Sequence, residues 1–176
     1  MPRPVFVILA HGVSEDKTTN LVSLFTIVEV VRHPVAAEEK PTDPSSDKTT
    51  FRLSLFSELT ALAVWMREDG DEQTVFEHQF AVYVPGETDE KLTVPPQPFQ
   101  FEAEKSLRRF RLNIQGLLPV GKESGIMELE SRVRKAESSD EWLRQRYPIV
   151  SQILIGKDAD AHLDRIVIEP RQTGDM

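Results

Sequence analysis

Val75-Phe76-Glu77-His78-Gln79-Phe80-Ala81-Val82-Tyr83-Val84 is the stretch on which the fold class turns. Phe76, His78, Phe80, Val82 and Val84 share one parity, and Val75, Glu77, Gln79, Ala81 and Tyr83 share the other. Alternate residues of a strand share a face, whereas a helix brings round every third or fourth residue. The segment therefore reads as a strand with one buried face, stopped by Pro85-Gly86. Before it, Glu68-Asp69-Gly70-Asp71-Glu72 carries the Asp-Gly signal of a hairpin turn.

The same alternation spreads outward from this strand. Phe51, Leu53 and Leu55 alternate with Arg52 and Ser54. Residues 57–66 fit two spacings: Leu59, Leu62, Ala63 and Met66 suit a helix, while Thr60, Val64 and Trp65 suit a sheet. Flanking strands favour the sheet reading. Downstream, Phe99, Phe101 and Ala103 face away from Gln100, Glu102 and Glu104, and Phe110, Leu112 and Ile114 face away from Arg109, Arg111 and Asn113. Residues 116–124 read as a turn region, and Met127, Leu129 and Val133 then oppose Glu128, Glu130 and Arg132.

Toward the N-terminus, Val5 to Ala10 is a continuous apolar run, as in a buried strand, and His11 to Asn20 reads as a polar connection. Leu21 to Val31 is apolar on both parities and rich in β-branched residues. It predicts one long central strand, ended at His33-Pro34 because proline lacks a ladder donor. Residues 34–50, with three prolines and many charges, read as a long surface loop of disordered composition. Residues 86–97 read as a second loop.

After Ala136 the pattern changes. Ser138-Ser139-Asp140-Glu141 fits a capping box and predicts a helix over 138–147, ended by Pro148. Ile149 to Ile155 then reads as a strand that is apolar on both parities. The expected architecture is mainly β: an antiparallel β-sandwich over residues 1–136, followed by an extension over 137–176. That extension brings one short helix and an added tail strand, packing on the same domain or on a partner.

Composition sets the boundaries of function. The chain has 176 residues, with 21 Lys and Arg against 29 Asp and Glu, a net charge of −8 and no Cys. A chain of this length buries roughly 70% of its unfolded surface and needs no disulfide or structural metal. Without Cys there is no thiolate zinc site and no cysteine nucleophile. An acidic chain is repelled by nucleic-acid phosphates, and Arg108, Arg109 and Arg111 lie apart from Arg132, Arg134 and Lys135 rather than in one long patch. The opening apolar run of six residues from Val5 is too short for a signal-peptide core or a membrane span. Together these features predict a cytoplasmic protein that binds neither nucleic acid nor membrane.

Few residues offer chemistry. His11, His33, His78 and His162 show no HxH or HxxxH spacing, and His78 lies on an apolar parity, where a hydrogen-bonded core histidine is the ordinary outcome. His11, Ser14 and Asp16 are too close in one segment to assemble a triad, and no GxSxG, Walker A or GxGxxG motif occurs. The acidic turns at 68–72 and 87–90 lie at opposite ends of one strand and cannot share an ion. The first alone leaves Asp69, Asp71 and Glu72 as candidate metal ligands. Phe99 and Phe101 beside the Arg108 cluster read as core rather than a stacking platform. No catalytic or cofactor-binding residue is expected.

The segment Phe6-Val7-Ile8-Leu9-Ala10, the gap with Asp16, and Asn20-Leu21-Val22-Ser23-Leu24-Phe25-Thr26-Ile27-Val28 resemble the opening of a bacterial family of small proteins of unknown function. A Trp-bearing strand, the Pro-Gly turn after Val84 and Gly125-Ile126 extend the likeness over about residues 4–134. The resemblance implies a small antiparallel β-sandwich and brings no catalytic residues. The function expected is a non-catalytic binding or assembly module, with a protein partner or self-association through the C-terminal extension. Two alternatives stand beside it. One is a calcium-responsive sandwich using the acidic loops, and the other is an enzyme of unrecognised class built on His11, Asp16 and His33.

Overall fold

The computed structural model describes residues 1–15, 22–35, 53–119 and 123–155. The apolar run after Pro4 lies in β1 (Arg3–Glu15), which reaches further than its apolar core because residues 10–15 pair with β2 (Val22–Ile27). The first half of β1 pairs instead with β4 (Leu53–Met66), so residues 57–66 are strand. Their double periodicity has a simple cause. Leu59, Ala61, Ala63 and Trp65 face the core, yet Thr60, Leu62 and Val64 on the opposite face are buried too. Apolar residues on both parities satisfy either period.

The long strand expected from Leu21 to Val31 is in fact two. The chain leaves β2, and β3 (Val30–Val35) belongs to the other sheet. Val28 still donates its N–H to Leu9 O at 2.9 Å, and Glu29 O accepts from Val150 N at 2.8 Å. One residue is tied to each sheet, so the crossing takes a single peptide step. Thr26, just before it, has φ of 50°, an uncommon conformation for a β-branched residue. Changing sheets exchanges which parity faces the core, which made the whole segment look apolar on both sides. Pro34 does not end β3; it lies inside an edge strand, where a missing donor is tolerated.

β5 (Phe76–Tyr83) takes its edge pairing from β6 (Leu92–Thr93) and β7 (Gln97–Phe99), short strands inside and after the expected loop at 86–97. The turn at 68–72 is a corner between sheets rather than a hairpin, since β4 and β5 lie in different sheets. Residues 116–119, expected in a turn, continue β8 (Leu107–Pro119), and β9 (Gly125–Lys135) follows. Among the described residues the order is β2-β1-β4-β8 in one sheet and β3-β10-β9-β5-β6 in the other, with β7 beside β5.

β10 (Leu143–Ile155) overturns the expected helix at 138–147. Ser138 Oγ does accept a local amide, that of Asp140 at 2.9 Å, but the chain then extends. A helix of about ten residues is marginal in water. As a strand, the same residues form a ladder with β9 from Leu143 to Ser151 and a parallel one with β3 from Val150 to Ile155. That parallel pair is the exception in an otherwise antiparallel set. Pro148 is accommodated because Val150 N–H points toward β3. The nitrogen two residues earlier points the same way, where β3 has not yet begun pairing. The extension's described strand is thus central to the second sheet. Inner residues of both sheets form one core, with Leu9, Leu59 and Trp65 from the first and Phe76, Leu129 and Ile149 from the second.

Candidate functional site

His78 sits where the alternation of β5 puts it, inside the core and 2% exposed. Its ring stacks on Phe110 of β8, with centroids 3.7 Å apart and planes 7° apart. Nε2 lies 2.9 Å from Ser131 Oγ on β9, and that oxygen also accepts from Trp65 Nε1 at 2.9 Å. Ser131 has one hydroxyl hydrogen. The arrangement that satisfies the indole, the hydroxyl and Nε2 together has Ser131 donating to Nε2, with the imidazole proton on Nδ1. Burial pushes the imidazole down to about 3, so it is neutral at physiological pH. A general base works best poised near the operating pH, and this ring is a hydrogen-bonding group instead.

The outward face of the second sheet holds a second cluster. Glu130 is fully buried there; Arg146 Nε donates to its Oε2 at 2.8 Å, and Arg132 Nη1 and Tyr83 Oη reach its Oε1 at 3.3 Å. Arg132 also donates to Gln79 Oε1 and, from Nη2, to Glu90 at 3.0 Å, fastening the connection after β5 onto the sheet. The hydrogen bond from Arg132 holds the Glu90 carboxyl below its usual range. Trp142 lies under the Arg132 and Arg134 guanidiniums at 5.1 and 4.4 Å. These charges neutralise one another, and the cluster reads as a fastening.

The other residues singled out in the sequence do not converge. His11 and Ser14 are exposed on β1 in the first sheet, while His33 lies in β3 of the second; Asp16 and His162 fall outside the described residues. In the acidic turn, Asp71 is buried, with Oδ1 at 3.0 Å from the Met1 amine and Oδ2 accepting from Glu68 N. Glu72 pairs with Arg67, and Asp69 is exposed. Among the described residues no group of three or more His, Asp or Glu side chains is placed to hold a metal ion. No described helix is long and apolar enough to cross a membrane.

The remaining feature is an edge. Three sheet edges are guarded by short flanking strands, charge or proline: β6 and β7 cover β5, β3 carries Arg32 and Pro34, and β8 carries three arginines. β2, Val22-Ser-Leu-Phe-Thr-Ile27, has neither charge nor proline, and among the described residues it pairs with β1 alone. Its Phe25 is 56% and Ile27 46% exposed. Phe25 lies across Gly12, 3.5 Å from where a Cβ would stand. The same outer face continues through half-buried Ile8 and Phe6 beside Leu62 and Val64. Sequence reasoning missed Phe25 and Ile27 because one imagined strand assigned them to a buried position. Compared with models of known protein families and with curated proteins, the sequence matches none of either.

Proposed function

We propose that the two sheets form a β-sandwich that serves as a non-catalytic binding or assembly module, joining a second copy of itself along β2. The uncharged, proline-free edge with two exposed large apolar side chains carries this reading. Edge strands offer unpaired N–H and C=O groups that a second strand can satisfy. Two copies of β2 related by a two-fold axis run antiparallel and set uncharged residues against uncharged residues throughout, which a chain of net charge −8 offers at few places. β2 is a better contact than the C-terminal extension, since β10 is paired within the chain on both sides over 150–151.

Light scattering over a range of protein concentrations tests it. The expected result is a dimer that Phe25→Lys with Ile27→Lys converts to a monomer of unchanged circular dichroism. Amides of residues 22–27 should exchange more slowly in the dimer than in that variant. A wild-type chain that stays monomeric at the highest concentration overturns the proposal.

A further inference from the structure

A cleft of about 260 Å³ opens between the edges of the two sheets, with β8 on one side and β5 and the β6–β7 segment on the other. Its lining is mixed: Val94, Pro95, Pro98 and Leu112 are apolar, His78, Gln79, Gln97, Arg108 and Arg111 are polar, and Phe99 and Phe110 touch with ring centroids 4.7 Å apart. Ligand pockets combine apolar walls with a few placed polar groups, and of the five here one is His78 and two are arginines. His78 lines the cleft, and its Nδ1–H is the one ring donor not already committed. Arg111 is on the rim, and its Nε donates to the neutral Asn113 Oδ1; among the described residues it reaches no carboxylate.

Arg108 is the third group and the decisive one. It shares the inward parity of Phe110 and Leu112, opposite Trp65. Its Nη1 makes a long contact of 3.4 Å to Glu102, a carboxylate that Lys105 already holds at 2.7 Å. Its Nε is closed off from solvent and has no hydrogen-bond partner among the described residues, while the side chain as a whole is 39% exposed. An unpaired buried donor costs free energy, so this arginine is not kept here for stability. With Nε closed off, a carboxylate in the cleft meets this guanidinium through its Nη–H groups. We infer that this cleft is a binding site for a small aromatic or short aliphatic carboxylate, its carboxylate on Arg108 and its apolar part against Pro95, Pro98 and Leu112. Arg111 adds attraction at the mouth, and the cleft volume limits the guest to a single ring or a short chain.

The inference is independent of β2 and is tested with 3-phenylpropionate, titrated into the full chain and followed by amide and side-chain NMR. The expected result is saturable shifts at His78 and Phe110, with at least tenfold weaker binding to Arg108→Gln and a few-fold weaker binding to Arg111→Gln. The alcohol of the same skeleton, 3-phenylpropanol, should bind at least tenfold more weakly to the wild-type chain. Because Arg108→Gln removes the unpaired guanidinium donor, its melting temperature should not fall, which separates lost binding from lost folding. Absence of saturable shifts, equal binding of the alcohol, or undiminished binding by Arg108→Gln each overturns the site.

Discussion

Trp65 of the first sheet donates its indole N–H to Ser131 of the second across 2.9 Å, a polar tie through the middle of an otherwise apolar core. Ser131 is also the partner of His78 Nε2, so one hydroxyl satisfies two buried rings. Ser131→Ala strands both. Each unsatisfied buried group costs about 1–3 kcal/mol, so the expected loss is about 2–6 kcal/mol in urea denaturation, with little change in the slope against urea. A loss below about 1 kcal/mol would show that neither ring depends on the hydroxyl.

His78 predicts a pH dependence of defined sign. Burial lowers its folded value from the ordinary 6.5 to about 3. Between these values the unfolded chain binds a proton that the folded chain refuses, so stability rises with pH across this window. The contribution is complete above 6.5 and is lost as pH falls toward 3, at about 1.4 kcal/mol per unit. Carboxylates titrate in the same range, so the measurement is a difference between wild type and His78→Gln. The wild-type curve should be steeper by close to one proton between pH 6 and 4. Parallel curves would mean that the folded chain protonates the ring as readily as the unfolded one.

Much of this architecture was legible, and the failures share a cause. The alternation on β5, β8 and β9 placed Phe80, Ile114 and Met127 inside, where they are buried. Local signals misled where tertiary pairing decided the outcome. Ser138-Ser139-Asp140-Glu141 is a sound helix start, and its hydroxyl does take an amide, but β9 and β3 offered residues 143–155 two ladders. At Val28 and Glu29 no local feature announces that the chain changes sheets; the distant partners Leu9 and Val150 do that. For the site, the sequence put His78 in the core, and the parity of Phe110 and Leu112 pointed Arg108 inward as well, but a charge at a strand start reads as solvated and masks that signal. Ser131 did leave a trace: it falls on the apolar parity of Leu129 and Val133, where a polar side chain needs a partner.

Two glycines separate backbone conformation from space. Gly70 has φ of +87°, and a Cβ there would meet nothing within 4 Å; Gly125 would place one 2.8 Å from Pro85 Cβ. Gly70→Ala therefore costs only left-handed strain, about 1–2 kcal/mol. Gly70→Asn should cost less, since asparagine tolerates that region. Gly125→Ala must displace a proline ring that cannot rotate away, an overpacking cost of about 1–3 kcal/mol. The discriminating observation is Gly125→Asn. It should be at least as damaging as alanine, whereas at position 70 asparagine should recover stability. Recovery at both positions would mean that conformation, not Pro85, sets the requirement at 125.

Glu130 and Glu128 lie on the same face of β9, and both bind Arg146, through Nε at 2.8 Å and Nη1 at 2.6 Å. They differ in exposure: the Glu130 side chain is 0% exposed and that of Glu128 32%. A half-exposed pair is screened by water and contributes about 0–1 kcal/mol, so Glu128→Gln should change stability little. Glu130→Gln removes the charge that compensates Arg132, itself buried. Breaking a buried pair from one side costs about 3–5 kcal/mol, and the remaining Glu90 contact should hold the loss near the lower end. Salt sharpens the contrast, because ions screen exposed pairs far more than buried ones. In equilibrium denaturation, any difference between Glu128→Gln and wild type should vanish in molar sodium chloride, while the deficit of Glu130→Gln should persist. Equal losses for the two variants would show that Arg146, rather than burial of the Glu130 carboxylate, governs the cluster.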